Sequence, residues 1–303
     1  MEEVPKFIQQ GFPVQFARSR GRKKEWSPFP FRLEWQTGLW FELFEKHIEF
    51  IVGDIERAKA AEKLVVYLSC PISSRGGGWS RTNIEVAHHT AQRLTQQWGN
   101  RFWILNPTLY QLESREGRGL LKRHAHLLSL EKGLKHEIDI DSLNKLSPPR
   151  GGDYLRMWLR ILTEDGESNL GGRFDAFYFL GSSDVWNFFT HSGKVNVTDG
   201  VEDYFARQFA RDPEFRERFG ESPHAPTLAT DFFRYYTIKA SSHFSLGSHD
   251  EYNIWRILNE LRCEELGLAA QIPGYFDGRQ LGLGAAEVPV TRGYEKTKSE
   301  KLA

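Results

Sequence analysis

Three short segments of this 303-residue sequence carry side chains whose types and spacing could do chemistry. The first runs from Tyr67 through Ser69 and Cys70 to Ser73, Ser74, Arg75, Gly76, Gly77 and Gly78. Its hydroxyls, free backbone amides and single guanidinium suit the coordination of a phosphate or carboxylate. Glycines in a strand-to-helix turn also have a purely conformational use, so both readings stand. The second segment, Ser245 to Glu251, hands a polar turn to a helix and leaves a carboxylate near the helix start. Its local reading is capping, with Ser248 as the cap and Asp250 and Glu251 favoured in the first turn by the helix dipole. The third is Asp153, which can cap the helix that follows and still direct its carboxylate toward neighbouring strand ends.

Other reactive types are less organised. His88 and His89, His124 and His126, and His243 with His249 lack an accompanying carboxylate or cysteine at an established ligand spacing, so no metal is expected. Cys70 follows a strand, but no partner base is assignable to it, and a small buried residue is the simpler role. Trp186, Phe188, Phe189, Phe232, Phe233, Tyr235 and Tyr236 are dense enough to indicate packing, with one or two expected near a site.

The elements that must position these residues read as α/β. Apolar residues from Trp35 to Ile55 recur at helical spacing, predicting a cover helix within 34–62. Leu64 to Leu68 is a short β-branched run suited to a buried parallel strand. A helix over 83–98 and a second strand ending at Asn106-Pro107 complete a βαβ unit. Residues 108–150 read as an insertion to which no chemistry is assigned. A helix from Asp153 to Thr163 precedes a third strand over 174–180. Two helical stretches, about 201–219 and 228–240, form a second insertion near 185–242, expected as a lid. Residues 269–276 hold a final strand. The division is therefore an arm and cover helix over 1–62, a domain over 63–290 and a charged tail over 291–303.

Composition bounds the function classes. The 40 basic and 40 acidic residues cancel, so no global field draws the chain to nucleic acid or to an anionic membrane. The basic stretch Arg18, Arg20, Arg22, Lys23 and Lys24 is short, and a solvated loop accounts for it. Two cysteines without close spacing suit a reducing compartment, and no apolar run reaches the length of a membrane span. The expectation is a cytoplasmic protein with a small-molecule partner and neither membrane nor nucleic-acid attachment.

Taken in order, the segments resemble the nucleoside 2-deoxyribosyltransferase-like superfamily, including the 2'-deoxynucleoside 5'-phosphate N-hydrolases. Tyr67 with Arg75-Gly76-Gly77 is similar to the family's first strand and its R-G-G loop. Asn106-Pro107 resembles the end of its second strand, and Asp153 followed by Asp175-Ala176-Phe177 its helix-opening aspartate before a strand of D-A-V type. Ser245-x-Gly247-x-x-x-Glu251 looks like its S-x-G-x-x-x-E turn, the most specific of the matches. The resemblance covers roughly 64–110, 153–185 and 243–276. It implies a Rossmann-like, flavodoxin-like parallel sheet with helices on both faces. It also implies cleavage or exchange of the N-glycosidic bond of a nucleoside or nucleotide, without a cofactor. In that scheme Glu251 is the nucleophile, Tyr67 orients it and Asp153 holds sugar hydroxyls. Ser69, Arg75, Gly76, Gly77, Ser245 and Gly247 then bind substrate, and a homodimer or larger assembly is implied. An NAD- or ADP-ribose-directed glycohydrolase and a non-catalytic nucleotide-binding sensor are the alternatives.

Overall fold

The computed structural model describes residues 35–36, 38–73, 75–166 and 169–282. The basic stretch at 18–24 and the tail at 291–303 lie outside the described residues.

Helix α1 (Leu39–Ala60) buries Trp40, Leu43, Phe44, His47, Ile48, Ile51 and Ile55, a spacing of three and four that turns one stripe inward. Strand β1 (Leu64–Ser69) is buried along all but its first residue. Helix α2 (Ser80–Trp98) then leads to β2 (Phe102–Leu105). The first insertion holds α3 (Arg115–Glu131) and α4 (Ile140–Leu146), followed by α5 (Gly151–Thr163) and β3 (Ala176–Phe179). The second insertion holds α6 (Ser182–Thr190), α7 (Val197–Arg211), α8 (Pro213–Arg216) and α9 (Ala225–Arg234), with a π-helical turn after each of the last two. The long α10 (Leu246–Leu266) leads to β4 (Gly274–Phe276) and β5 (Arg279–Gln280). No described helix is long and apolar enough to cross a membrane.

The strands form one sheet in the order β2-β1-β3-β4-β5, parallel except for β5. The three strands expected from the sequence are therefore parallel members of a single Rossmann-like sheet. From β1 the chain crosses to β2 on one side and returns to β3 on the other. The end of β1 thus lies at the switch point where such folds open a crevice.

Strand side chains divide between two core clusters with the two-residue period of a strand. Val65, Tyr67, Leu105, Phe177 and Phe179 join α1, α5 and α10 in one. Val66, Leu68, Ile104, Ala176 and Tyr178 join α2, α6, α7 and α9 in the other. The second insertion begins earlier than expected, since Ser182–Thr190 is helical. It is built into the second cluster through Phe188, Phe189, Val201, Phe215 and Phe232 rather than standing over the strands as a separate lid.

Candidate active site

Period two also decides where β1 sends its polar groups. Tyr67 and Ser69 are two residues apart, so both leave the same side of the strand, toward α10. On that helix Ser245 is the N-cap, its Oγ accepting from the Ser248 amide at 3.4 Å. The cap is therefore Ser245 and not Ser248, one turn earlier than the sequence suggested. The far half of α10 is clasped to the approach to β4. Trp255 Nε1 and Asn259 Nδ2 each donate to the Ile272 carbonyl at 2.9 Å, and Asn259 Oδ1 accepts from the Ile272 amide at 2.7 Å.

These constraints bring Glu251 onto β1. The Tyr67 hydroxyl donates to Glu251 Oε1 at 2.8 Å and the Ser69 hydroxyl to Oε2 at 2.5 Å, contacts that span 184 and 182 residues of chain. Tyr67 and Ser69 are fully buried, while Glu251 keeps 9% exposure. Burial raises the Glu251 carboxyl to about 7, against the lowering effect of the Ser69 and Tyr67 hydrogen bonds. Burial, then the adjacent Glu251 charge, hold the Tyr67 hydroxyl and the Cys70 thiol well above their usual ranges. Tyr67 is therefore a proton donor to the carboxylate and not a base.

Glu251 lines a cavity of about 700 Å³ at the carboxyl ends of β1 and β2. Its wall takes Cys70, Ile72 and Ser73 after β1, and Ser80, Arg81 and Ile84 from the start of α2. Ser245, Gly247 and Ser248 from the start of α10 also line it. Three aromatics, Tyr110, Tyr154 and Trp158, line it as well. Trp158 packs on Tyr67 with ring centroids 5.5 Å apart. Tyr110 is held from behind by α1, its carbonyl paired with His47 Nε2 at 2.8 Å and its hydroxyl donating to Asp54 at 2.8 Å. Tyr154 is raised well above its usual range by burial and then by the nearby Glu113 carboxylate. Glu113, Glu116 and Glu214 add negative charge to the lining. Arg81, also in the lining, is engaged with Asp212 at 2.8 Å and Glu214 at 2.7 Å.

Of the expected site residues, Glu251, Tyr67 and Ser69 meet, and Ser245 and Gly247 line the same cavity. Asp153 goes elsewhere. It sits in the first turn of α5, where Oδ1 accepts from the Gln36 amide at 2.5 Å and Oδ2 from the Arg150 amide at 2.7 Å. It is not among the residues lining the cavity, because both oxygens are committed to backbone donors. Gly76 and Gly77 also leave the lining. Gly77, at φ +103°, lets α9 approach so closely that a Cβ would lie 2.3 Å from the Asp231 carbonyl oxygen. The Arg75 backbone opens this turn, and its side chain lies outside the described portion.

The sequence reading missed the contribution of the first insertion. Gln111, Glu113, Ser114, Glu116 and Arg118 line the cavity, although no chemistry was assigned to 108–150. The available signal was position, since whatever follows β2 must start at the carboxyl edge of the sheet. Tyr154 and Trp158 are four apart on a helix that was foreseen, so one face carrying two aromatics was legible. The aromatics of the second insertion do not line the cavity, which receives from that insertion only Glu214 among the described residues. Comparison of the chain with protein-family models, with curated proteins and with solved structures finds no match.

Proposed function

We propose that this chain is an N-glycosidase of the nucleoside 2-deoxyribosyltransferase-like type, working at the switch point of a sheet covered by helices on both faces. The division of strand side chains between two core clusters supports that architecture. One observation carries the functional reading: a buried carboxylate, Glu251, is oriented by Tyr67 and Ser69 on the wall of a cavity large enough for a small-molecule ligand.

In the proposed reaction a Glu251 oxygen forms a bond to the anomeric carbon as the bond from that carbon to the base nitrogen breaks, its electron pair leaving with the base. The departing base takes up a proton. Water then attacks the anomeric carbon, and the carboxylate is regenerated with release of the sugar. A second base in place of water gives exchange. Positive charge develops on the sugar in both steps, and the carboxylates of Glu113 and Glu116 in the lining favour it. Trp158 and Tyr154 offer apolar faces to the base.

The test is incubation of the purified chain with nucleosides, nucleotides and NAD, with free base followed by chromatography. Base release that disappears in Glu251→Gln, with ligand binding retained, is the expected result. Binding without release by the wild type would make the protein a sensor instead.

A further inference from the structure

Ser248 lines the cavity one helical step before Glu251, and only 2% of it is exposed. Its hydroxyl nevertheless has no hydrogen-bond partner. Leaving a buried hydroxyl unpaired costs about 1–3 kcal/mol, so such a group is an exception that asks for an explanation. Capping, the usual employment of a serine at a helix start, is already performed by Ser245. What remains is a partner that arrives through the cavity.

Residues three apart on a helix hold their Cβ atoms about 5–6 Å apart, so Ser248 stands beside the Glu251 carboxylate rather than across from it. A carboxylate poised to attack an anomeric carbon has as its nearest sugar substituent the group on the adjoining ring carbon. In a ribosyl substrate that group is the 2'-hydroxyl, which can both donate to and accept from a serine. In a 2-deoxyribosyl substrate it is a hydrogen on carbon, which leaves the serine as unsatisfied as it is without ligand.

We propose that Ser248 reads the 2'-hydroxyl of the sugar and that the site is built for ribosyl rather than 2-deoxyribosyl substrates. The inference rests on the N-glycosidase reading above and names its sugar class. Such a contact strengthens as positive charge develops on the ring, so it acts on kcat/KM and not on ground-state binding alone.

The experiment compares wild type, Ser248→Ala and Ser248→Thr on each natural ribonucleoside and its 2'-deoxy counterpart. Ser248→Ala is expected to lower kcat/KM at least about tenfold on the ribosides and less than about twofold on the deoxyribosides, the scale of one hydrogen bond. Ser248→Thr, which keeps the hydroxyl, stays near wild type on both. The double ratio cancels the different intrinsic lability of the two sugars. Equal losses on both sugars, a loss confined to the deoxyribosides, or no loss would overturn the inference while leaving the glycosidase reading in place. Absence of base release from either series by the wild type would overturn that reading, and this one with it. Should Ser248→Ala not fold, Ser248→Cys, a weak donor of similar shape, is expected to give the same split between sugars, and equal effects on both would overturn the assignment.

Discussion

At Glu251 burial opposes ionisation and the hydroxyls of Ser69 and Tyr67 favour it, and the balance leaves the carboxyl at about 7 instead of 4.5. A nucleophile must be ionised, so turnover should rise with pH around a midpoint near 7, read from kcat/KM between pH 5 and 9. Tyr67→Phe removes a bond that lowers this value. The midpoint should move upward and kcat/KM above it should fall about tenfold or more, whereas a merely structural tyrosine would leave the midpoint in place. Stability runs the other way. A carboxyl whose folded value is raised contributes its full share below 4.5 and loses it as pH rises through about 7. The difference between 4.5 and about 7 corresponds to roughly 3 kcal/mol as an upper bound. Glu251→Gln is therefore expected to match wild type in chemical denaturation at pH 4 and to exceed it by up to about 3 kcal/mol at pH 8, while losing base release. Equal stabilities at both values would remove the buried-anion account.

Among the elements, the first turns of α5 and α10 show how similar local signals separate. Asp153 and Glu251 both lie near a helix start, and the sequence alone offered each a place in the pocket. Asp153 meets the amides of Gln36 and Arg150, whereas Glu251, one turn further into its helix, reaches β1. Asp153→Ala should lower stability by about 1–3 kcal/mol, since it orphans buried amides, and leave kcat/KM within about threefold. Loss of turnover in a fully folded variant would restore the sugar-binding role. In the turn after β1, Gly76 and Gly77 both have positive φ, but only Gly77 faces backbone at 2.3 Å, while Gly76 faces open space. Gly77→Ala is expected to destabilise by more than about 2 kcal/mol, and Gly76→Ala by about 1 kcal/mol, the conformational part alone. The parallel strands were legible because runs such as Leu64 to Leu68 advertise burial on both sides. The functional edge of the first insertion was not, because Gln111, Glu113 and Arg118 acquire meaning only when β2 sets their height above the sheet.

Across the whole molecule a second buried titratable centre opposes the first. His47 Nδ1 and His124 Nε2 lie 3.1 Å apart and fasten α3 to α1. Burial lowers both imidazoles to about 4, with the mutual His47 charge a further cause at His124, which also faces Arg123 and Lys46. Groups with depressed folded values stabilise fully above 6.5 and lose that contribution as pH falls through about 4. Between 4.5 and 6.5 the histidine pair thus favours folding as pH rises, and Glu251 disfavours it. The wild-type stability profile should be flatter in that window than that of Glu251→Gln, in which the histidine slope is no longer opposed. Parallel profiles for the two proteins would refute the coupling. The assembly proposed by resemblance is checked at the same scale: a monomeric mass by light scattering at micromolar concentration, with full activity, would exclude a pocket shared between subunits.

The alternation along β1 has a consequence for how this chain can change its length. Tyr67 and Ser69 reach Glu251 because both fall on one parity of the strand, with Val66 and Leu68 on the other. Deleting a single residue just before Tyr67 would exchange the two sets, sending the hydroxyls into the aromatic cluster and two aliphatic groups toward the carboxylate. A one-residue change in the segment that follows Ser69 leaves parity untouched. Variation in length is therefore open to the turn around Gly76 and closed to the six residues before it in β1, where the unit of tolerated change is two residues.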